Sequence, residues 1–245
     1  VDKKWAEVGV VQPEKVTTLN QDMTSTFFSR QPSTVNSQPS TFFSRQPSPV
    51  YAIILAAGES RRFGQKNKLF LPCGSETILE ASVRNILNSR VDGTVIVLGH
   101  QADRVKELLR KFSCLTVINP DYREGMGSSV VVGIDYWLER IGRIPTAGFL
   151  FALSDQPFIL PAVIDNLIGK YRDSRADIVV PVFNGRRGHP SIVNRKYADE
   201  IRQVADRWGA REVLLRHPDK ILSVPVEAEG VILDIDTPKD YYNLE

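Results

Sequence analysis

Sulfur and imidazole are scarce, with two cysteines, two methionines and three histidines in 245 residues. Cys73 and Cys114 lie far apart, without a C-x-x-C pair or a companion histidine at zinc spacing. No zinc site or disulfide framework is therefore expected, and the plain reading is a reducing, cytoplasmic setting. Long apolar runs are missing too: nothing approaches the roughly 20 residues of a membrane helix, and the amino-terminal region lacks the basic-then-apolar order of a secretory signal. A soluble chain with no membrane partner is the expectation. Charge of one sign is also lacking. The 31 Lys+Arg against 29 Asp+Glu leave a net +2, which gives no reason to expect nucleic acid, so any functional basicity must be local. Finally, there is no G-x-x-x-x-G-K-[ST] and no G-x-G-x-x-G, which argues against a Walker loop and a dinucleotide fingerprint. No Ser-His-Asp or Cys-His arrangement suggests a covalent enzyme intermediate.

Two regions are present. Residues 1–50 are dense in Ser, Thr, Gln and Pro and carry "STFFSRQPS" twice, at Ser25 to Ser33 and Ser40 to Ser48. Such a stretch cannot bury enough apolar surface to offset its ordering entropy, so it is expected as a disordered extension. The alternative is a docking motif built on Phe27-Phe28 and Phe42-Phe43. From Tyr51, short β-rich runs alternate with amphipathic segments. Strands are expected near 51–56, 94–98, 115–118, 147–153 and 177–182, and helices near 77–89, 102–112, 128–140, 161–172 and 196–206. Strand–helix alternation predicts a three-layer α/β/α, Rossmann-like domain over 51–245. Extra strands at 188–193 and 220–226 break the alternation and predict a mixed, mainly parallel sheet.

Chemistry-bearing residues cluster where strands end. After "YAIILA", Gly58 and Gly64 let the backbone approach a ligand, and Arg62 and Lys68 supply the charge a polyphosphate needs neutralised; the same composition also suits a solvated loop. In "EGMGSS", Gly125 and Gly127 deliver Ser128 and Ser129 to a helix N-terminus, fit for an anion or a sugar, or for simple capping. "FALSDQP" presents Asp155 at a strand end as a hard oxygen ligand, or alternatively as a cap. Asp234 and Asp236 alternate on an expected short strand and so share a face, with Thr237-Pro238 opening a helix.

Five segments in order resemble one family. "LAAGESRRFG" followed by "NKLFLP" is similar to the signature L-A-A-G-x-S-x-R-x-G…K-L-L-P of the MobA-like nucleotidyltransferases, which include molybdenum cofactor cytidylyltransferases. "EGMGSS", "SDQP", "GHP" and "DIDTPKD" follow in family order, and the resemblance covers nearly all of 51–245 but none of 1–50. It implies a GT-A-type nucleotidyltransferase fold. It places the nucleoside triphosphate on Leu55, Ala56, Ala57, Gly58, Arg62, Lys68, Gly127, Ser128 and Ser129. Lys66 stands where the commonest family spacing would put the lysine, and the following "LFLP" favours Lys68. The resemblance further implies catalytic roles for Arg62, Lys68 and Asp155, with Mg²⁺ as cofactor held by Asp155 and by Asp234 or Asp236. Arg187, His189 and Pro190 fall in the acceptor region.

The implied reaction is transfer of CMP from CTP to molybdenum cofactor with release of pyrophosphate, and then handover to a molybdoenzyme or its chaperone. L-A-A-G is the cytidylyl form of the signature and L-A-G-G the guanylyl form. Two rivals stand beside this reading: a sugar-phosphate or other nucleotidyltransferase of the same fold, and a nucleotide-binding regulatory module without turnover.

Overall fold

A computed structural model of the chain describes residues 48–64, 66–174, 176–204 and 210–243. The Ser/Thr/Pro/Gln-rich extension, up to residue 47, lies outside the described residues. In chain order the elements are β1 (Val50–Ala56), a two-residue-per-strand hairpin of β2 (Pro72–Cys73) and β3 (Glu76–Thr77), α1 (Ile78–Leu87), β4 (Gly93–Leu98), α2 (Ala102–Leu109), β5 (Leu115–Ile118), α3 (Met126–Ile141), β6 (Gly148–Leu153) and α4 (Pro161–Asp173). They continue with β7 (Ile178–Phe183), β8 (Arg186–Arg187), β9 (Ser191–Asn194), α5 (Ala198–Gln203), α6 (Ala210–Arg216), β10 (Ile221–Pro225) and α7 (Pro238–Tyr242).

The main sheet has the order β10-β7-β9-β6-β1-β4-β5, with β8 paired to β7. Only β9 and β8 run antiparallel to their neighbours, so the sheet is mixed and mainly parallel, as the extra strands predict. β1 reads as a continuous apolar run because both of its faces are covered. Ala52, Ile54 and Ala56 pack with α1, α2 and α4 on one side, while Ile53 packs with α3, α5 and α6 on the other. Three layers result.

Local signals set the helix ends. Thr77 accepts from the Glu80 backbone N–H at 3.3 Å while the Glu80 carboxylate accepts from the Thr77 N–H at 2.7 Å, a reciprocal cap that starts α1. Thr237 and Asp240 do the same for α7. On the other face, α3 approaches β1 so closely that a Cβ on Gly133 would lie 2.3 Å from Ile53 Cγ2.

The topology itself makes a crevice. From β1 the chain moves outward to β4 and β5, then returns to lay β6 along the other edge of β1. The loops leaving β1 and β6 therefore diverge, and ligands of open α/β sheets bind outside such strand ends.

The expected strand through Asp234 and Asp236 does not form. Residues 233–236 run without a ladder after a 3₁₀ turn at Glu229–Ile232. β6 already pairs with both β1 and β9, so no edge remains for a further strand beside it. The alternation survives: Ile235 is buried and the aspartates on either side of it both face the crevice. The β2–β3 hairpin and β8 have no counterpart in the sequence reading, since two-residue strands carry no period to detect, and the seven-residue helix α6 has none either.

Candidate active site

The loop after β1 folds back on itself. Ser60 adopts a left-handed backbone with φ 52° and Gly64 one with φ 66°. Ser60 Oγ donates to Asn67 Oδ1 at 3.1 Å and accepts from the Lys68 backbone N–H at 3.3 Å. Asn67 in turn caps the 3₁₀ turn Lys68–Phe70 by accepting from the Leu69 N–H. This knot turns Lys68 into the crevice and leaves Lys66 exposed outside it. The crevice is a cavity of about 560 Å³. Leu55, Ala57, Gly58, Arg62 and Lys68 line it; Ala56 points into the core instead.

A charged floor joins residues distant in sequence. Lys68 Nζ lies 2.5 Å from Asp155 Oδ2 and 2.9 Å from Asp236 Oδ1, and Arg62 reaches Asp236 Oδ2 at 2.9 Å. Burial works against the Lys68 ammonium, yet Asp155 and Asp236 outweigh it and hold its pKa above the ordinary lysine value. Burial likewise opposes the Asp236 carboxylate, but Lys68 and Arg62 overcome it and lower its pKa. Asp234 goes the other way: burial, then repulsion from Asp155 and Asp236, pushes it up, with Gln156 Nε2 donating to it at 2.5 Å.

The α3 side is ordered by Asn119, whose amide donates to both Ser128 Oγ and Ser129 Oγ at 2.9 Å. Ser129 lines the cavity, whereas Ser128 donates to the Gly125 carbonyl at 2.8 Å, and neither Ser128 nor Gly127 belongs to the lining. The acceptor-region residues also lie outside it. Arg187 is exposed on β8, while Pro190 is buried and His189 half-buried, with the His189 N–H donating to the Val231 carbonyl at 2.8 Å. Burial lowers the His189 pKa, outweighing the opposing pull of Asp155.

Several residues of the site escape sequence reasoning. Glu59 bridges Arg61 at 2.6 Å and Arg123 at 3.5 Å at the cavity rim, and the Arg61 hydrogen bond leads in lowering its pKa. Tyr122 and Met126 complete that side of the lining. Arg123 and Tyr122 precede a visible Gly-Met-Gly, so proximity to a motif was the one available signal.

Among the described residues, no group of three or more His, Cys, Asp or Glu side chains forms a metal cage. The chemistry nonetheless suits a hard divalent ion carried by phosphates. Among the described residues, Asp155 Oδ1 is buried without a hydrogen-bond partner, and Mg²⁺ is ordinarily held by one or two carboxylates together with substrate phosphates and waters.

The family model described as "MobA-like NTP transferase domain" matches residues 52–221. This chain belongs to that family. Molybdenum cofactor cytidylyltransferase of Escherichia coli K12 is 33% identical over 192 residues, 77% of this chain and 92% of the relative. Nicotine blue oxidoreductase of Paenarthrobacter nicotinovorans is 29% identical over 203 residues, 80% and 96% of the two chains. The crystal structure of Rv0371c from Mycobacterium tuberculosis H37Rv superimposes with a TM-score of 0.68 at 27% identity, covering 81% of this chain and 98% of that one. The similarity thus extends to proteins named for different activities. Among the described residues, no helix is long and apolar enough to cross a membrane.

Proposed function

We propose that this MobA-like domain transfers CMP from CTP to a phosphate-bearing acceptor, molybdenum cofactor, with release of pyrophosphate. The observation that carries the transfer reading is the convergence of Lys68, Arg62, Asp155 and Asp236 on one cavity at the β1/β6 switch point. A terminal phosphate oxygen of the acceptor attacks the α-phosphorus of the triphosphate, the bond to the bridging oxygen breaks, and the electron pair leaves with pyrophosphate. Lys68 and Arg62 neutralise the triphosphate, exchanging carboxylate partners for phosphate oxygens. The turn that fixes Ser60, Asn67 and Lys68 spares reorganisation at the moment of reaction. Asp155, with Asp234 or Asp236 beside it, would hold a Mg²⁺ ion, which would supply positive charge against the charge that develops on the triphosphate.

CTP is favoured over GTP by Ala57, whose methyl group stands where the guanylyl form of the signature has glycine. The likeness to a cytidylyltransferase over most of both chains supports the same base and acceptor. The MobA-like family and this cavity equally suit sugar-phosphate acceptors, so the test crosses both variables. Pyrophosphate release is to be measured for the four nucleoside triphosphates with molybdenum cofactor or a sugar phosphate, in the presence of Mg²⁺. Release with CTP and molybdenum cofactor above all other combinations is expected. Release with GTP above CTP would overturn the cytidylyl assignment, and release with a sugar phosphate above molybdenum cofactor would overturn the acceptor.

A further inference from the structure

Three strand-end loops touch at one point beside the cavity. A Cβ on Gly99, just past β4, would lie 2.6 Å from Tyr122 Cβ, 2.7 Å from Tyr122 Cγ and 2.8 Å from Ala57 Cβ. No side chain fits there without displacing the Tyr122 ring or the signature loop. The His100 N–H also donates to the Ala57 carbonyl at 3.1 Å, tying the β4 loop to the β1 loop. Tyr122 and Ala57 line the cavity, whereas Gly99 is the packing point behind them. The Tyr122 ring is flanked by the Arg123 guanidinium, 5.5 Å from its centroid, and by the His100 ring at 6.2 Å.

We infer that Tyr122 is the platform on which the nucleobase stacks, and that the closed seam of Ala57 against Gly99 is the wall that limits its depth to a pyrimidine. This rests on the nucleotidyl-transfer reading and adds a specificity-determining residue to it. An aromatic face takes any base; selection arises because the ring is pinned against the wall, so a larger base meets the Ala57 methyl before it overlaps the ring fully. The charged floor at Lys68 and Asp155 holds the triphosphate, and the platform contributes nothing to an anion without a base.

That separation gives the test. Equilibrium binding of CTP, GTP and inorganic tripolyphosphate is to be compared in the natural protein, Tyr122→Ala, Tyr122→Phe and Gly99→Ala. Loss of base stacking on truncation to alanine predicts a fall in CTP affinity of roughly 5- to 100-fold in Tyr122→Ala. Tripolyphosphate affinity should stay within about twofold, since the retained floor still supplies the anion contacts. Tyr122→Phe keeps the ring and should retain most of the CTP affinity. Gly99→Ala keeps the tyrosine but crowds both the Tyr122 ring and Ala57, and should lower CTP affinity as well. Unchanged CTP binding in Tyr122→Ala would overturn the inference, as would equal loss of CTP and tripolyphosphate. A natural protein that binds tripolyphosphate as tightly as CTP would overturn it as well, because no base is then being read. Pyrophosphate release in the natural protein reports on the transfer reading separately, so a platform failure with turnover intact is recognisable.

Discussion

Lys68 and Asp155 are 87 residues apart in sequence and 2.5 Å apart in space, with both side chains largely buried at the mouth of the β1/β6 switch point. Lys68 also holds Asp236, whereas Asp155 Oδ2 has Lys68 and Asp155 Oδ1 has no hydrogen-bond partner among the described residues. The partners are unequal, and so are the expected consequences of removing them. Lys68→Met leaves Asp155, Asp234 and Asp236 facing one another without their central cation and should destabilise the fold by about 3–5 kcal/mol, the usual cost of breaking a buried pair. Asp155→Asn leaves Lys68 paired with Asp236 and should cost less. Chemical denaturation of both variants checks the order; Asp155→Asn as the more damaging change would contradict it.

Turnover should rank differently. Replacing Asp155 by Asn removes the charge assigned to hold Mg²⁺ against the triphosphate, an effect worth several kcal/mol and so roughly 100-fold or more in rate. Asp236→Asn should lose less, since Asp155 remains. Initial rates over a Mg²⁺ titration decide this. Near-normal Asp155→Asn turnover at ordinary Mg²⁺ would remove the metal assignment.

Gly133 is legible only from the packing. Its missing Cβ would meet Ile53 Cγ2 at 2.3 Å, so Gly133→Ala should overpack the α3–β1 contact at a cost of ~1–3 kcal/mol. That exceeds the gain of about 1 kcal/mol from replacing glycine in a helix. Thermal unfolding should show a lower midpoint; a higher one would mean that helix propensity wins.

Cys114 gives a pH dependence away from the site. Burial pushes its thiol from 9.0 up to about 11. A raised folded pKa means stability that is present below the unfolded pKa and lost as pH rises through the folded one. The natural protein should therefore lose stability relative to Cys114→Ala between about pH 9 and pH 11. Denaturation series of both proteins across that range measure the difference, and parallel curves would refute it.

The sequence announces the sheet and the loops better than it announces the contacts. β1, β4, β5 and β6 are short β-rich apolar runs, and the sequence reading places their ends within a residue. Arg62, Lys68 and Asp155 stand in motifs that say "strand end", which in an open sheet means one shared crevice. What periodicity does not encode is which cation meets which carboxylate. The Lys68–Asp236 and Glu59–Arg123 pairs depend on the folding of irregular loops. His189 is tied by its backbone N–H to Val231 in the turn at Glu229–Ile232, a contact that no short-range pattern foretells. The predicted strand at Asp234 and Asp236 fails for a topological reason, since β6 has no edge left to offer.

Residues 1–47 lie outside the described part of the chain, and we propose that they contribute nothing to the catalytic domain. Their removal should leave the unfolding midpoint and CTP affinity unchanged. An insoluble truncated protein, or one that fails to bind nucleotide, would contradict this.

The central claim is transfer of the α-phosphorus, and labelling follows that atom directly. CTP carrying radioactive phosphorus at the α-position is incubated with the protein, Mg²⁺ and molybdenum cofactor, and the products are separated. Label should move into the acceptor in equal amount to the unlabelled pyrophosphate released, and both should form roughly 100-fold more slowly or worse in Asp155→Asn. Label that remains in CTP despite tight CTP binding would identify a binding module without turnover, and label released as free CMP would identify a hydrolase; either result contradicts the account.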